Sequence, residues 1–323
     1  MPSKWITIAL SLAFALAAHA AESAKPAFTD PEKAGIDFQI QGEYTGQLPD
    51  GSKLAAQVIA DGKGSFAAIF LPGGLPGDDC NGKYLAEVPG KLDGKSAAFA
   101  GSNYSATSNG ELLTGQNDKG QKFTLRKTLR HSPTEGAKPP AGAIVLFDGS
   151  KSDELDNPKL DDRKLLAAGV TTKRAFGDFT LHLEFTVPFM PEARGQARAN
   201  SGVYIQRRYE IQILDSFGLV SPKNNDCAAV YTRIAPSLNM CYPPLSWQTY
   251  DIDFTAARWD ADGKKTANAV VTVKYNGVVV HDKVLIPGKT GLGQPESPQP
   301  GPINFQYHNN PVWFRNIWII EKK

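Results

Sequence analysis

Phe179-Thr180-Leu181-His182-Leu183-Glu184-Phe185-Thr186-Val187 alternates apolar and polar side chains without a break. Successive strand residues point to opposite faces, so Phe179, Leu181, Leu183, Phe185 and Val187 share one face while Thr180, His182, Glu184 and Thr186 share the other. The stretch reads as a strand with one packed and one polar face. The same period orders residues 209–215, where Ile211 and Ile213 face inward and Glu210 and Gln212 face away. It returns at 303–308, where Ile303, Phe305 and Tyr307 alternate with Asn304, Gln306 and His308. Several strands thus send Glu, Gln, Asn and His to a polar sheet face, and the plain expectation for an antiparallel sandwich is that water covers that face.

Working outward from these strands, further β-prone runs occupy 143–147, 202–206, 247–254, 269–275, 277–281 and 312–320, with Asn276-Gly277 as a hairpin turn. Eight or nine short strands in one region predict a β-sandwich. Only 160–168 suggests a short helix. Upstream, strands are expected at 38–46, 54–60, 65–71, 97–100, 111–114 and 123–129, with Asp61-Gly62 turning between two of them. Residues 131–143 (HSPTEGAKPPAGA) lack apolar periodicity and read as a stiff exposed linker. The division is a β-rich domain over 21–130, a linker over 131–143 and a sandwich over 144–323.

Composition agrees with an all-β globular chain. In 323 residues, 30 glycines and 23 prolines favour turns and strands, and 41% hydrophobic with 21% charged residues excludes a disordered chain. The first twenty residues form an export signal: Lys4 precedes an apolar run from Ile6 to Ala18, and Ala18-His19-Ala20 has the small-x-small form cleaved after Ala20. The expected location is periplasmic or secreted. Losing Lys4 leaves 34 basic against 33 acidic residues. A nearly neutral surface does not suit nucleic acid, and no later segment is apolar over the length of a membrane span.

Three weaker motifs have plainer readings. Gly77-Asp78-Asp79-Cys80-Asn81-Gly82-Lys83 fits seven positions of a phosphate loop, but Tyr84 stands where magnesium needs a hydroxyl ligand, so it reads as a surface loop. Asp260, Asp262 and Gly263 lack the remaining ligands of a calcium loop and read as a turn. Of three cysteines, Cys227 and Cys241 share one loop and are candidates for a disulfide, leaving Cys80 free. Outside the leader, all four tryptophans lie in the sandwich region; Trp318 reads as core, while Trp247 and Trp313 are candidate sugar platforms.

The densest cluster is Asn200-Ser201-Gly202-Val203-Tyr204-Ile205-Gln206-Arg207-Arg208-Tyr209-Glu210-Ile211-Gln212-Ile213-Leu214-Asp215-Ser216. It reads either as a solvated face with cross-strand ion pairs or as a general base, Glu210, tuned by a guanidinium. Together with Leu146-Phe147-Asp148-Gly149-Ser150, Trp247-Gln248-Thr249-Tyr250-Asp251-Ile252, Asn276-Gly277-Val278 and the run from Gly301-Pro302-Ile303 through Phe314-Arg315-Asn316-Ile317-Trp318, it resembles the 3-keto-disaccharide hydrolase domain family, once a domain of unknown function. The resemblance spans about 143–323. It implies a concanavalin A-like β-sandwich (jelly-roll) C-terminal domain, preceded here by a smaller β-rich domain on which the resemblance is silent. Two departures are visible: Leu155-Asp156-Asn157-Pro158 replaces a tryptophan-containing motif, and Tyr307 precedes His308 where relatives often carry aspartate.

The resemblance implies an enzyme acting on glycosides whose C3 hydroxyl a separate glycoside 3-oxidoreductase has oxidised, so that the partner is a small-molecule carbohydrate. The ketone acidifies the C2–H; a base removes that proton, the C1 substituent leaves by β-elimination, and water adds to the enone. In this reading Glu210 or His308 is the base, Arg208 or a divalent metal ion stabilises the enolate, and His182 or Tyr209 donates a proton. Asn200, Gln212, Asp215, Trp247, Gln248, Gln306 and Trp313 are candidates for substrate binding, and His182, Glu184, Glu210 and His308 for a metal. A two-carboxylate glucanase is disfavoured, because Gln212 stands two positions after Glu210 and Asp215 stands at an odd spacing. The alternative is a noncatalytic carbohydrate-binding module.

Overall fold

The computed structural model describes residues 25–78 and 86–322. The stretch expected to be a leader, and most of the phosphate-loop-like stretch with Cys80, lie outside these residues. A short helix, α1 (Gly35–Ile40), precedes eight antiparallel strands: β1 (Gly42–Gln47), β2 (Lys53–Gly62), β3 (Ser65–Pro72), β4 (Ala86–Asp93), β5 (Ser96–Ala100), β6 (Tyr104–Ser108), β7 (Leu112–Asn117) and β8 (Lys122–Thr128). Each pairs with its successor and β8 closes on β1, so the sheet is an up-and-down barrel without edges. Eight strands leave room for side chains, and Tyr44, Val58, Phe66, Phe70, Phe99, Tyr104 and Phe123 fill it. The start of the expected strand at 38–46 is helical instead, because Ile40 is driven into the barrel interior and Tyr44 donates to its carbonyl at 2.5 Å. The turn expected at Asp61-Gly62 falls at Lys63-Gly64, both with positive φ.

The second unit stacks two sheets. Its strands are β9 (Ile144–Phe147), β10 (Leu155–Asp156), β11 (Leu166–Ala167), β12 (Val170–Thr172), β13 (Phe179–Thr186), β14 (Ser201–Ile205), β15 (Tyr209–Ile213), β16 (Gln248–Thr255), β17 (Arg258–Trp259), β18 (Lys265–Ala267), β19 (Ala269–Tyr275), β20 (Val278–Ile286), β21 (Asn304–Tyr307) and β22 (Trp313–Glu321). One sheet runs β10-β12-β21-β14-β15; the other runs β11-β22-β13-β16-β19-β20, with β9 also on β22. β17 and β18 form a separate ribbon. Phe179, Leu181, Leu183 and Phe185 meet Val203, Ile211, Ile213 and Phe305 in the core between the sheets. The sandwich is the fold that strand alternation required. The helix expected at 160–168 is absent: Leu160 bridges Leu166, and β11 joins the edge of β22. Asn276-Gly277 is the two-residue turn between β19 and β20, both residues at positive φ.

The two units share an apolar contact. Ala55, Ile59, Ile69 and Leu71, on the outside of β2 and β3, belong to the sandwich's core cluster, and Phe28 pairs with Phe189 through both backbone groups at 2.9 Å. A Cβ on Gly218 would lie 2.4 Å from Ile59, so this loop approaches the barrel as closely as a glycine allows.

Residues 131–143 depart from a free linker, although 138–142 are exposed. Residues 132–137 lie as a strap across the outer face of the β13–β16–β22 sheet and complete its polar partners. Thr134 donates to Asp251 at 2.8 Å, the Gly136 N–H donates to Glu184 at 2.6 Å, and Asn316 donates to the Ala137 carbonyl at 2.9 Å. The face that alternation assigned to water is therefore buried.

Candidate functional site

The outer face of the five-stranded sheet carries the other polar row. Register puts Tyr204 of β14 opposite Glu210 of β15 and Asn304 of β21, and Gly202 opposite Gln212 and Gln306. Gly202 is a spatial requirement: a Cβ there would lie 2.4 Å from Glu210 Oε1. The missing side chain makes the hollow in which the Glu210 carboxylate rests. The hollow is a cavity of about 240 Å³ lined by Asn200, Tyr204, Glu210, Gln212, Tyr231, Gly291, Leu292, Gln306 and His308. It adjoins a second of about 160 Å³, which shares Tyr204, Leu292 and Gln306 and adds Arg207, Gln294 and Asn304.

Surrounding elements hold these groups in place. Gln196, in a turn of 3-10 helix, accepts from Asn200 through its carbonyl at 2.9 Å and from Gln212 through its side chain at 3.0 Å. Thr290 receives the Glu210 N–H at 2.7 Å, and its own N–H reaches the Arg208 carbonyl at 2.9 Å. The segment 290–294 is thereby tied to the Gln206-Arg207 turn, both of whose residues hold the left-handed conformation that side chains disfavour. Gly293 permits the contact, since a Cβ there would meet the Arg208 carbonyl at 2.2 Å. Leu292, 86% exposed, stands above both cavities.

Glu210 is 2% exposed, and burial pushes its carboxyl up to about 7, against a lowering by the Tyr204 hydroxyl. Burial and then the Glu210 charge raise Tyr204. A carboxyl near neutrality is poised to accept a proton at working pH. Glu210 Oε2, Gln212 Oε1 and Gln306 Oε1 have no protein partner although each atom is buried. Three such orphans around one hollow ask for a ligand that donates hydrogen bonds. Among the described residues, the cavity lining holds one carboxylate.

Of the residues expected from sequence, the cavity brings together Asn200, Glu210, Gln212, Gln306 and His308. It leaves out the others. His182 and Glu184 lie under the strap on the opposite sheet: His182 Nδ1 is 2.6 Å from Asp251, and Glu184 receives Arg315 at 2.6 Å and Asn316 at 2.7 Å. Burial opposes the Glu184 charge, but the surrounding donors outweigh it and bring the carboxyl down to about 2. Burial likewise lowers His182, yet the Asp251 and Glu184 carboxylates prevail and raise it. One metal ion cannot be shared by His182, Glu184, Glu210 and His308, which sit on outer faces of different sheets, and no cluster of three or more metal-ligating side chains occurs among the described residues.

Arg208 holds Gln206 and Ser297 instead of facing the hollow, and Tyr209 points into the core, where its hydroxyl meets Glu296. Arg207, the other member of the arginine pair, lines the second cavity. Asp215 is buried against Arg198 at 2.7 Å. Gln248 is spent inside the sandwich on the Tyr242 N–H at 2.9 Å and the Tyr275 hydroxyl. Trp313 lies on β22 with the Arg163 guanidinium 5.6 Å above its ring, and Trp247 lines a different cavity at the barrel junction. Cys227 and Cys241 are both free and buried, the Cys227 thiol lying 3.2 Å from the Tyr250 hydroxyl, so the expected disulfide is not formed. Tyr204, Tyr231 and Leu292 join the site beyond the residues expected from sequence; parity with Val203 and Ile205 places Tyr204 on Glu210's face, whereas Tyr231 and Leu292 arrive on loops without a sequence signal.

Residues 142–320 match the model of the 3-keto-alpha-glucoside-1,2-lyase-like domain. The chain belongs to this family. Membership makes the lyase-like domain a carbohydrate-related hydrolase or lyase domain. A candidate glycosyl hydrolase from Parabacteroides distasonis ATCC 8503 is 33% identical, with a TM-score of 0.52 over 57% of this chain and 85% of that one. Two further candidate glycosyl hydrolases from the same organism are 16% and 24% identical, with TM-scores of 0.41 and 0.39; they cover 61% and 56% of this chain and 99% of each of theirs. No curated protein matches. The barrel lies outside the lyase-like domain. Among the described residues no helix is long and apolar enough to cross a membrane.

Proposed function

We propose that the protein cleaves 3-keto-glycosides by elimination and hydration, with Glu210 as the base. The observation that carries this reading is a single buried carboxyl raised to about 7, with one oxygen unpartnered and no second carboxylate in the cavity lining among the described residues. Hydrolysis at an unoxidised anomeric centre uses two carboxyl groups flanking the bond, whereas abstraction of a proton beside a ketone needs one base. Glu210 takes the C2 proton and the C–H electron pair forms the enolate. The enolate then collapses to a C1–C2 double bond and expels the C1 oxygen. His308, on the rim of the cavity, protonates that oxygen. Water adds at C1 and gives a proton back to His308, while the Glu210 carboxyl, its proton exchanged with solvent, protonates C2, so the net reaction is hydrolysis. The unpartnered side-chain oxygens of Gln212 and Gln306 accept from the sugar's hydroxyl groups and hold the ring over Glu210.

Export through the N-terminal leader, and supply of substrate by a glycoside 3-oxidoreductase, are parts of the same proposal. Incubation with a 3-keto-glucoside in deuterated water tests it. Aglycone release with deuterium at C2, both lost in Glu210→Gln, is expected. Binding with neither release nor exchange would instead identify a noncatalytic carbohydrate-binding module.

A further inference from the structure

A cavity of about 740 Å³, larger than either half of the Glu210 cleft, lies where the barrel, the strap and the loop before β16 meet. Its walls include Phe38 and Leu129 from the barrel side and Pro243, Leu245 and Trp247 from the sandwich side. The Arg315 guanidinium sits 3.8 Å above the Trp247 ring and is itself held by Glu184 and Glu135 at 2.6 and 2.8 Å, so the indole is fixed in place. Gln41, also in the lining, is 2% exposed; its Oε1 accepts the Ala60 N–H at 2.9 Å, while its Nε2 has no protein partner.

We propose that this junction is a second, noncatalytic binding site for a neutral saccharide. A half-buried indole, two aliphatic side chains and a proline offer an apolar surface on which sugar C–H faces stack, and a few inward polar groups fix orientation. Gln41 Nε2 supplies a buried donor that a hydroxyl oxygen satisfies and a hydrocarbon chain leaves unpaired. Lys127, whose ammonium donates to the Gln39 carbonyl at 2.6 Å, keeps further N–H groups for a second hydroxyl. Of the charges of the lining, Arg130 is matched by Glu43 at 2.6 Å and Glu135 by Arg315 at 2.8 Å, and burial lowers the Lys127 ammonium to about 8, which weakens its hold on an anion, so an uncharged polyol fits.

The readout follows from where the tryptophans are. The Glu210 cavity lining contains none, whereas the junction contains Trp247. Full-length protein is titrated with maltose, cellobiose and trehalose while indole emission and calorimetric heat are followed. At least one probe is expected to give a saturable emission change. That change should survive Gly202→Leu, which fills the Glu210 hollow. It should weaken at least tenfold in Leu129→Arg, a substitution at a 68% exposed position. In Trp247→Phe the emission change should vanish while the heat of binding persists. No saturable change with any probe, or a change abolished by Gly202→Leu and untouched by Leu129→Arg, overturns the proposal. Because no step involves Glu210, failure here leaves the eliminase reading standing, and the reverse also holds.

Discussion

The two outer faces of the sandwich carry the same kinds of residue and have opposite fates. On β13 and β16, His182, Glu184 and Asp251 are all partnered, because the strap 132–137 and Arg315 and Asn316 of β22 supply donors and acceptors for each. On β14, β15 and β21, Glu210, Gln212 and Gln306 keep buried oxygens with nothing to bind. The carboxyls diverge accordingly: one falls to about 2 and the other rises to about 7. A satisfied polar face is structural, and an unsatisfied one is available to a ligand.

Substitutions should separate the faces cleanly. Glu210→Gln is expected to lower kcat on a 3-keto-glucoside by about 10³-fold, within the range for losing a general base. Its stability should move the other way: the folded-state carboxyl titrates above its ordinary value of 4.5, so its ionisation costs stability as pH rises from 4.5 through about 7. Thermal denaturation at pH 8 should therefore show Glu210→Gln unchanged or more stable than the parent; a clear loss would make Glu210 structural.

Glu184→Gln should do the reverse. Lowering from 4.5 to about 2 corresponds to about 3 kcal/mol, present above pH 4.5 and lost as pH falls through 2. Urea denaturation at pH 7 should show a loss of that order with kcat preserved, and the difference between variant and parent should shrink toward pH 2. Unaltered stability would remove the distinction between the faces.

Gly202→Ala displaces the Glu210 carboxylate without removing it, and roughly a 10²-fold loss in kcat is expected from such misplacement. A second glycine-sized gap restored elsewhere on the sheet should not rescue it. The smallest effect is in the pH profile: kcat should rise about tenfold per unit below pH 7, in the parent only. A plateau extending down to pH 5 would assign the base to another group.

Strand alternation made the sandwich and one half of the site legible. Ile211 and Ile213 fix Glu210 and Gln212 outward, and Phe305 fixes Gln306. The same rule erred on His182 and Glu184, because period two says which residues share a face and nothing about what later covers it; the strap that does so has no periodicity of its own. Arg208 and Arg207 differ by one position, and only the left-handed turn decides which reaches the cavity. Tyr231 and Leu292 come from loops whose path is set by contacts such as Thr290 with Glu210, distant in sequence. The barrel's closure depends on β4 and β6, whose small and polar residues at 86–93 and 104–108 give weak strand signals.

Ala55, Ile59, Ile69 and Leu71 on the barrel's outer wall have a consequence for synthesis on the ribosome. Their covering loop, around Phe217 and Gly218, is translated roughly 10–30 s after them at ordinary elongation rates. During that interval the barrel can close on its own interior, yet it presents an apolar flank with no neighbour. The nascent chain therefore has a defined window in which a chaperone, or another nascent copy, competes for the surface that the sandwich later occupies.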